Sequence, residues 1–140
     1  MFLPDVNLWL ALAFDKHVHH LVAKKWFGGI PDGDCSFCRM TQQGFLRLAT
    51  NPKVLGDETV TLADAWRLYD RLFCDARVAF AMEPEGLEPL WRGHTRARSF
   101  SPKVWNDAYL AAFAQAAGFG LVTFDRGFAQ FTGPACTILT

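Results

Sequence analysis

Short apolar segments alternate with helical segments from one end of this chain to the other. Residues 2–6, 34–38, 77–82, 120–124 and 136–139 are apolar runs of strand length, and amphipathic or alanine-rich segments lie between them. Strands that alternate with helices pair in parallel, because each helix carries the chain back across one face of the sheet. The alternation therefore predicts a three-layer α/β/α domain with a central parallel sheet of four to five strands.

Capping residues mark where several helices begin and end. Gly28 and Gly29 end a helix predicted over 17–27, Thr61 begins a long amphipathic helix, and Gly118 ends the helix predicted over 104–117. A further helix is predicted over 85–98. Apolar residues at helical spacing are expected on the buried faces, among them Val18, Leu21 and Leu62. No repeat, linker or low-complexity segment interrupts the 140 residues, which predicts a single domain over 1–140.

Acidic and basic residues balance at 14 each, so the formal net charge is zero. Domains that coat nucleic acid by bulk electrostatics are usually strongly basic, which disfavours that class but not an enzyme with a local basic surface. Asp5 interrupts the apolar start, no basic segment precedes it, and no apolar run approaches the roughly 20 residues of a membrane span. We expect a cytoplasmic protein without a membrane segment.

The four cysteines are expected to be reduced in that compartment. Cys35 and Cys38 form a C-x-x-C pair, which invites a zinc or redox interpretation. A structural zinc site needs two more closely spaced ligands, and Cys74 and Cys136 are isolated from each other and from any histidine pair. We interpret the pair as buried free thiols.

Three aspartates are predicted to meet at one edge of the sheet. Asp5 follows the first strand and Asp125 follows the strand over 120–124, so both lie at the carboxyl ends of parallel strands, where sites form near the topological switch point. Asp107 lies in the first turns of the helix that enters that later strand, and a right-handed crossover starts this helix near the same edge. Acids from distant parts of the sequence thus come together.

Carboxylates in such a group repel one another, by roughly 1 to 4 kcal/mol per pair at 4 Å. Either one acid keeps its proton or a cation binds. Oxygen ligands without a neighbouring His/Cys set favour Mg²⁺ or Mn²⁺ over zinc. Each acid also has an ordinary interpretation, Asp5 as a helix cap, Asp107 at a helix N-terminus and Asp125 in a turn. Their joint position at one edge favours a metal site.

Four segments carry a family resemblance that covers nearly the whole chain: LPDVNLWLA at 3–11, GFLRLATNP at 44–52, WNDAYLA at 105–111 and LVTFDRGF at 121–128. Together they resemble the PIN-domain ribonucleases, and among these the VapC-type toxins of bacterial toxin–antitoxin pairs. The resemblance implies Mg²⁺- or Mn²⁺-dependent endonucleolytic cleavage of structured RNA such as tRNA or rRNA, which inhibits translation. It also implies a cognate antitoxin protein as partner, and a homodimer.

The resemblance carries residue roles with it, position by position. Asp5, Asp107 and Asp125 match the catalytic, metal-binding acids of the family. Thr123 matches a hydroxyl that supports the last acid, and Asn7 a polar neighbour of the first. A further family acid, in the helix after the second strand, is absent here, and Gln42 or Gln43 could supply only a neutral oxygen or hold a water. We expect one principal ion, bound mainly by Asp5 and Asp107, with Asp125 direct or through water.

Other polar and aromatic residues have two interpretations each. His17, His19 and His20 are interpreted as a partly exposed group at a helix N-terminus, with metal ligation or proton transfer as the alternative. Trp105 could stack on an unpaired base or pack in the core, and Trp9, Trp26 and Trp66 are core or dimer-surface residues. The basic residues could form a local phosphate-binding surface or simply lie on solvated helix faces. They are Arg47, Arg92, Arg96, Arg98, Lys103 and Arg126.

Two other functions compete with the metal-dependent ribonuclease. A phosphohydrolase with an aspartyl nucleophile after the first strand would resemble the HAD phosphatases, which have a second Asp two residues on, where this chain has Asn7. A receiver-like module or a catalytically weak PIN-like module would act by RNA or protein binding alone. Asn7 disfavours the phosphohydrolase, and the missing fourth acid gives the binding module some weight.

Overall fold

A five-stranded sheet lies within the residues that the structure, a computed structural model, describes, namely 1–98 and 100–140. Its strands are β1 (Phe2–Pro4), β2 (Cys35–Phe37), β3 (Val78–Phe80), β4 (Gly120–Thr123) and β5 (Cys136–Ile138). The helices are α1 (Val6–Ala13), α2 (His20–Phe27), α3 (Arg39–Ala49), α4 (Pro52–Leu55), α5 (Leu62–Phe73), α6 (Leu87–His94) and α7 (Val104–Ala117). Short 3₁₀ helices cover Gly56–Glu58 and Arg126–Gln130.

The strand order is β3-β2-β1-β4-β5, and every pairing is parallel. The chain runs outward from β1 to β3 and then returns to the other side of β1, so the topological switch point lies between β1 and β4. Leu3 pairs with Leu121, and Pro4 with Val122. Asp5 and Thr123 therefore follow as neighbours at the carboxyl edge of the switch point, where ligands bind in such sheets.

Helices cover both faces of the sheet. Consecutive residues of a strand point to opposite faces, so neighbouring residues of β4 pack against different helices. Leu121 packs with side chains of α6 and α7, whereas Val122 packs with Leu8 and Ala11 of α1. On the α1 side a larger cluster joins α1, α3 and α5, and Trp9 of α1 stacks on Phe37 of β2 with ring centroids 3.7 Å apart. The predicted three-layer α/β/α architecture with a parallel sheet is confirmed.

Gly44 lets α3 approach α1 closely. A Cβ atom at this position would lie 2.6 Å from Cγ2 of Val6, well inside van der Waals contact. Val6 is β-branched and belongs to a helix, so its side chain has almost no alternative rotamer with which to move away. The contact fixes the separation of α1 and α3. Asp5 caps the start of α1, and Gln43 lies in the second turn of α3.

The structure corrects several helix boundaries and one expected apolar face. The helix predicted over 17–27 begins only at His20, and the helix predicted over 85–98 ends at His94. Val18 is 85% exposed, Leu21 80% and Leu62 75%, so these side chains do not face the core. Helical spacing identifies one face but not whether a neighbouring element covers it. Within 1–98 and 100–140, no helix has the length and apolar content to cross a bilayer.

The C-x-x-C pair consists of two buried free thiols, as interpreted. Cys35 lies in β2, and burial raises the pKa of its thiol above the ordinary range. Cys38 precedes α3 and caps it, since its backbone N–H donates to Thr41 Oγ1 at 3.0 Å while its side chain accepts from the Thr41 backbone. Thiols of raised pKa are poor nucleophiles and poor metal ligands, which argues against redox or zinc chemistry here.

Candidate active site

Asp5 ends β1 and caps α1 at the same time. Its backbone is extended (φ −68°, ψ 161°), its N–H donates to the Val122 carbonyl at 2.8 Å, and its Oδ1 accepts from the Val6 N–H at 2.6 Å. An acid at this position is stabilised by the unpaired amides of the helix start. Asp5 is thus a helix cap, as one interpretation of the sequence had it. The cap uses only one of its two carboxylate oxygens.

The second carboxylate oxygen of Asp5 is held by Thr123. The Thr123 hydroxyl donates to Asp5 Oδ2 at 2.9 Å and accepts from Asn7 Nδ2 at 3.2 Å and from the Asp125 N–H at 2.9 Å. A hydroxyl has one hydrogen and two lone pairs, so this completely buried group is fully used. The side-chain oxygen Oδ1 of Asn7 accepts from the Phe124 N–H at 3.3 Å. Asn7 and Thr123 therefore tie the start of α1 to the end of β4.

Asp125 sits at the turn that follows β4. Its Oδ1 accepts from the Gly127 N–H at 2.7 Å and caps the 3₁₀ helix Arg126–Gln130. This is the Asx-type turn expected of Asp followed by a glycine two residues on. The side chain is exposed, in contrast to the enclosed Asp5.

Asp107 lies in the first turn of α7 and completes the group of acids. Its pKa is raised to about 6, first by burial and then by the negative charges of Asp5 and Asp125. The pKa of Asp5 is also raised, by burial and by Asp125, against the lowering effect of the hydrogen bonds from Thr123 and Val6. The three acids are thus close enough to repel one another, and each addition of negative charge destabilises the group.

A cavity of about 390 Å³ opens beside two of these acids. Asp5 and Asp107 line it together with Gln43 and Arg47 of α3. Gln43 therefore stands at the place where the resemblance implies a further acid, while Gln42 is buried and hydrogen-bonded by Arg39. The groove contains one cation, Arg47, and two neutral amides, Gln43 and Asn106, in addition to its carboxylates.

The oxygen-rich donor set fits a hard divalent cation, because positive charge would offset the repulsion that raises the pKa of Asp107. Across the described parts of the chain, however, no three His, Cys, Asp or Glu side chains are grouped closely enough to hold one ion together. Mg²⁺ usually takes one or two carboxylates and keeps several waters. The site suits that mode, and the assignment of Asp5, Asp107 and Asp125 as metal ligands stays a prediction.

One histidine lies closer to the acids than its position in the sequence suggests. His19 stacks on Phe124 with ring centroids 4.3 Å apart and an interplanar angle of 13°. Phe124 stands between Thr123 and Asp125, so this loop packs against the turn that carries the last acid. His20 is buried and its Nδ1 lies 2.7 Å from the Ala11 carbonyl, which is a structural role. The His19 contact spans more than 100 residues of sequence, and no local signal could have found it.

The predicted basic and aromatic residues divide between two places. Arg47 lines the groove beside Asp5, and Arg126 follows Asp125 directly. Arg92 and Arg96 line a different cavity together with Trp105, which is 55% exposed and so does not pack in the core. Trp9 is completely buried and belongs to the core, whereas Trp66 is 50% exposed.

Known proteins resemble this chain over nearly its whole length. A profile of the PIN domain matches residues 2–134. The chain is 48% identical over 138 residues to ribonuclease VapC41 of Mycobacterium tuberculosis strain H37Rv, covering 95% of this chain and 94% of that protein. It is 35% identical over 131 residues to ribonuclease VapC38 of the same strain, covering 91% and 86%.

Solved structures share the fold. The crystal structure of M. tuberculosis VapC20, described as a sarcin–ricin loop cleaving toxin, superposes with a TM-score of 0.70 at 17% identity over 100% of both chains. A chain of VapBC2 from Rickettsia felis, bound to a DNA fragment from their promoter, also gives a TM-score of 0.70, at 8% identity over 99% of this chain and 98% of that one. At these identities the likeness concerns the fold alone.

Proposed function

The chain belongs to the PIN-domain family, and from that premise we propose that it is a VapC-type toxin, an endoribonuclease that hydrolyses RNA with the help of Mg²⁺ or Mn²⁺. The observation that carries the proposal is the gathering of Asp5, Asp107 and Asp125 at the β1–β4 switch point, close enough to raise the pKa of Asp107 to about 6. Such repulsion is costly for the fold and is relieved by a bound cation.

Asp5 and Asp107 are the residues that would hold the ion, with Asp125 direct or through water. When bound, a divalent ion supplies positive charge that polarises the phosphate and lowers the pKa of a water. The chain supplies the rest. Thr123 fixes the Asp5 carboxylate at 2.9 Å, so that its geometry does not depend on the ion. Arg47 offers a cation to a phosphate oxygen in the groove, and Gln43 offers an amide that can orient a water.

A toxin role with an antitoxin partner is supported by the relatives. VapC41 and VapC38 bear the name ribonuclease, and the VapC20 structure is described as that of a toxin that cleaves the sarcin–ricin loop. For this chain we propose structured RNA, such as tRNA or rRNA, as the substrate. We also propose a small protein of the VapB kind as its partner, as in the VapBC structures. A homodimer remains part of the proposal.

Cleavage by purified protein tests the activity. Transfer RNA and ribosomal RNA should be cut in Mg²⁺ or Mn²⁺ and not in EDTA. Asp5→Asn and Asp107→Asn should each lower the rate roughly a hundredfold or more, since several kcal/mol of transition-state stabilisation depend on the ion. Asp70→Asn, at an exposed position of α5, is the matched control and should leave the rate unchanged. Wild-type protein that cuts neither RNA with either metal would refute the proposal.

A catalytically weak module that acts by binding is the second candidate. It is favoured by one observation, the presence of neutral Gln43 in the groove where the resemblance implies an acid. Growth arrest by the wild type and by Asp107→Asn distinguishes the binding module from the ribonuclease. The binding module predicts that wild-type protein and Asp107→Asn arrest growth equally on expression, whereas the ribonuclease predicts arrest by the wild type alone.

A further inference from the structure

Trp105 at the start of α7 and the half-buried Trp91 of α6 form an aromatic surface. Trp105 is 55% exposed, and its ring meets that of Trp91 edge to face at 6.1 Å and 87°. The Trp91 indole N–H donates to the Trp105 carbonyl at 3.1 Å, and its ring also packs edge to face on Tyr109 at 5.2 Å. These contacts hold Trp91 rigidly and leave the indole of Trp105 open to solvent.

Cavities border Trp105 on two sides. One, of about 420 Å³, lies towards Phe100 and Gln130, and the other, of about 580 Å³, lies towards Arg92 and Arg96. Trp105 lines both cavities. An indole that stands between two open spaces presents ring surface to a planar ligand without any rearrangement of the fold.

The cavity towards Arg92 has a net positive lining although the chain as a whole is neutral, because two arginines and one glutamate, Glu88, line it. The sequence from 89 to 106 contains four basic side chains and no acidic one, and these are Arg92, Arg96, Arg98 and Lys103. Arg92 is engaged by Glu88 at 2.6 Å, so Arg96 is the cation in the cavity with the freer head group. Aromatic rings interleaved with cations are the usual surface for single-stranded nucleic acid.

We propose that Trp105, backed by Trp91 and flanked by Arg96, is a subsite that stacks an unpaired base of the RNA substrate, within about three nucleotides of the bond that is cut. The inference rests on the proposed ribonuclease function and adds its substrate class, RNA with an unpaired base near the scissile phosphate. Charge favours RNA over an apolar protein segment as the occupant, because the cavity towards Arg92 holds Arg96 in addition to the Arg92–Glu88 ion pair, and a phosphate backbone would gain from that unbalanced cation.

The distance between the subsite and the acids determines how many nucleotides must span them. Trp105 and Asp107 are two residues apart in α7, so their side chains project from opposite sides of the helix. The separation across the helix is roughly 10 Å. That is about three nucleotides at the 3.4 Å rise of a stacked strand, and fewer in an extended one. A strand that passes over the start of α7 can therefore meet both groups.

Binding of a fluorescein-labelled single-stranded RNA, measured by anisotropy in EDTA, tests the subsite without cleavage. A second probe carries the same backbone with abasic residues in place of bases. Trp105→Ala should bind the intact RNA about tenfold more weakly, the loss of one base stack, and should bind the abasic RNA like the wild type. Trp105→Phe should keep most of the affinity. Trp66→Ala, which removes a 50% exposed tryptophan from α5, is the matched control and should bind both probes normally.

The other outcomes overturn either the subsite or the ribonuclease, and they tell the two apart. Unchanged binding by Trp105→Ala, or an equal loss for intact and abasic RNA, would exclude base stacking. Normal RNA binding with lost retention of the co-expressed antitoxin would make the surface a protein-docking site instead. A protein that shows the tenfold difference in EDTA but cuts no RNA with Mg²⁺ would refute the ribonuclease and leave the stacking subsite standing.

Discussion

Thr123 holds Asp5 through a hydroxyl hydrogen bond of 2.9 Å across the switch point of the sheet. The same oxygen accepts from Asn7 and from the Asp125 backbone, so one side chain fixes the first acid and the turn that carries the last. Because the hydroxyl has no spare hydrogen-bonding capacity, any substitution that removes it leaves several part-buried groups without this partner.

Replacing Thr123 with valine should therefore reduce both stability and activity. Valine has nearly the same shape but cannot bond Asp5, Asn7 or the Asp125 amide, and we expect the free energy of unfolding to fall by about 2 to 4 kcal/mol. RNA cleavage should fall at least about tenfold, because the Asp5 carboxylate is no longer oriented. Urea unfolding and initial cleavage rates measure the two effects. Thr123→Ser keeps the hydroxyl and should retain most of the activity. Wild-type cleavage by the valine variant would contradict the role given to this hydroxyl.

Asp107 should make the folded protein less stable as the pH rises. Its pKa is about 6 when folded and near 3.8 when unfolded, so the folded chain binds more protons between those values and loses stability as they leave. The penalty is absent below about pH 4 and complete above about pH 6. Asp107→Asn should thus gain about 1 to 2 kcal/mol over the wild type at pH 7.5 in EDTA, after allowance for partial exposure, and nothing at pH 4. Denaturant melts at the two pH values measure this, and an equal effect at both would disprove the linkage.

Mg²⁺ should offset that destabilisation in the wild type. A ligand that binds only the folded state adds RT ln(1 + [L]/Kd), or about 1.4 kcal/mol at ten times Kd. In a domain of this size that corresponds to a rise in Tm of about 5 °C. Asp107→Asn should show a much smaller rise. Sodium chloride at matched ionic strength controls for simple screening of the carboxylates. A rise of the same size with the sodium salt would remove the support for a bound ion.

Gly44 and Gly93 should respond in opposite ways to alanine. Alanine normally stabilises a helix interior by roughly 1 kcal/mol relative to glycine. At Gly93, in the last turn of α6, nothing lies within 4 Å of the added methyl group, so Gly93→Ala should show part of that gain. At Gly44 the methyl group would meet Val6 at 2.6 Å, and the overpacking, roughly 1 to 3 kcal/mol, should cancel or exceed the gain. Chemical denaturation of the two variants provides the comparison, and a stabilised Gly44→Ala would show that α1 and α3 can separate freely.

Elements with strong local signals were predictable from the sequence. The helix over 104–117 and its stop at Gly118 (φ 69°) agree with the structure, because an alanine-rich run followed by glycine leaves no competing conformation. The strands were placed correctly to within a residue or two, since buried apolar runs mark their centres. The parallel arrangement followed from the alternation of strands and helices.

Contacts between distant segments could not be predicted. The stack of His19 on Phe124 and the close approach of Gly44 to Val6 depend on how α1, α2 and α3 settle on the sheet, which no spacing along the chain encodes. The exposure of apolar side chains could not be predicted for the same reason. Val18 and Leu21 have the spacing of a buried face, but no neighbouring element covers them within the described residues. For the acids, topology brought the three positions to one edge, while the saturation of Thr123 became visible only in three dimensions.

The two carboxylate oxygens of Asp5 serve different ends, Oδ1 the start of α1 and Oδ2 the Thr123 hydroxyl. An asparagine could accept from one of these donors but not from both. Asp5 therefore contributes to folding whatever its part in the chemistry, whereas ionised Asp107 weakens the fold. In a lineage released from selection for nuclease activity, we expect position 107 to change first and position 5 to persist. The residue at position 107 is then the better marker of a descendant that still cuts RNA.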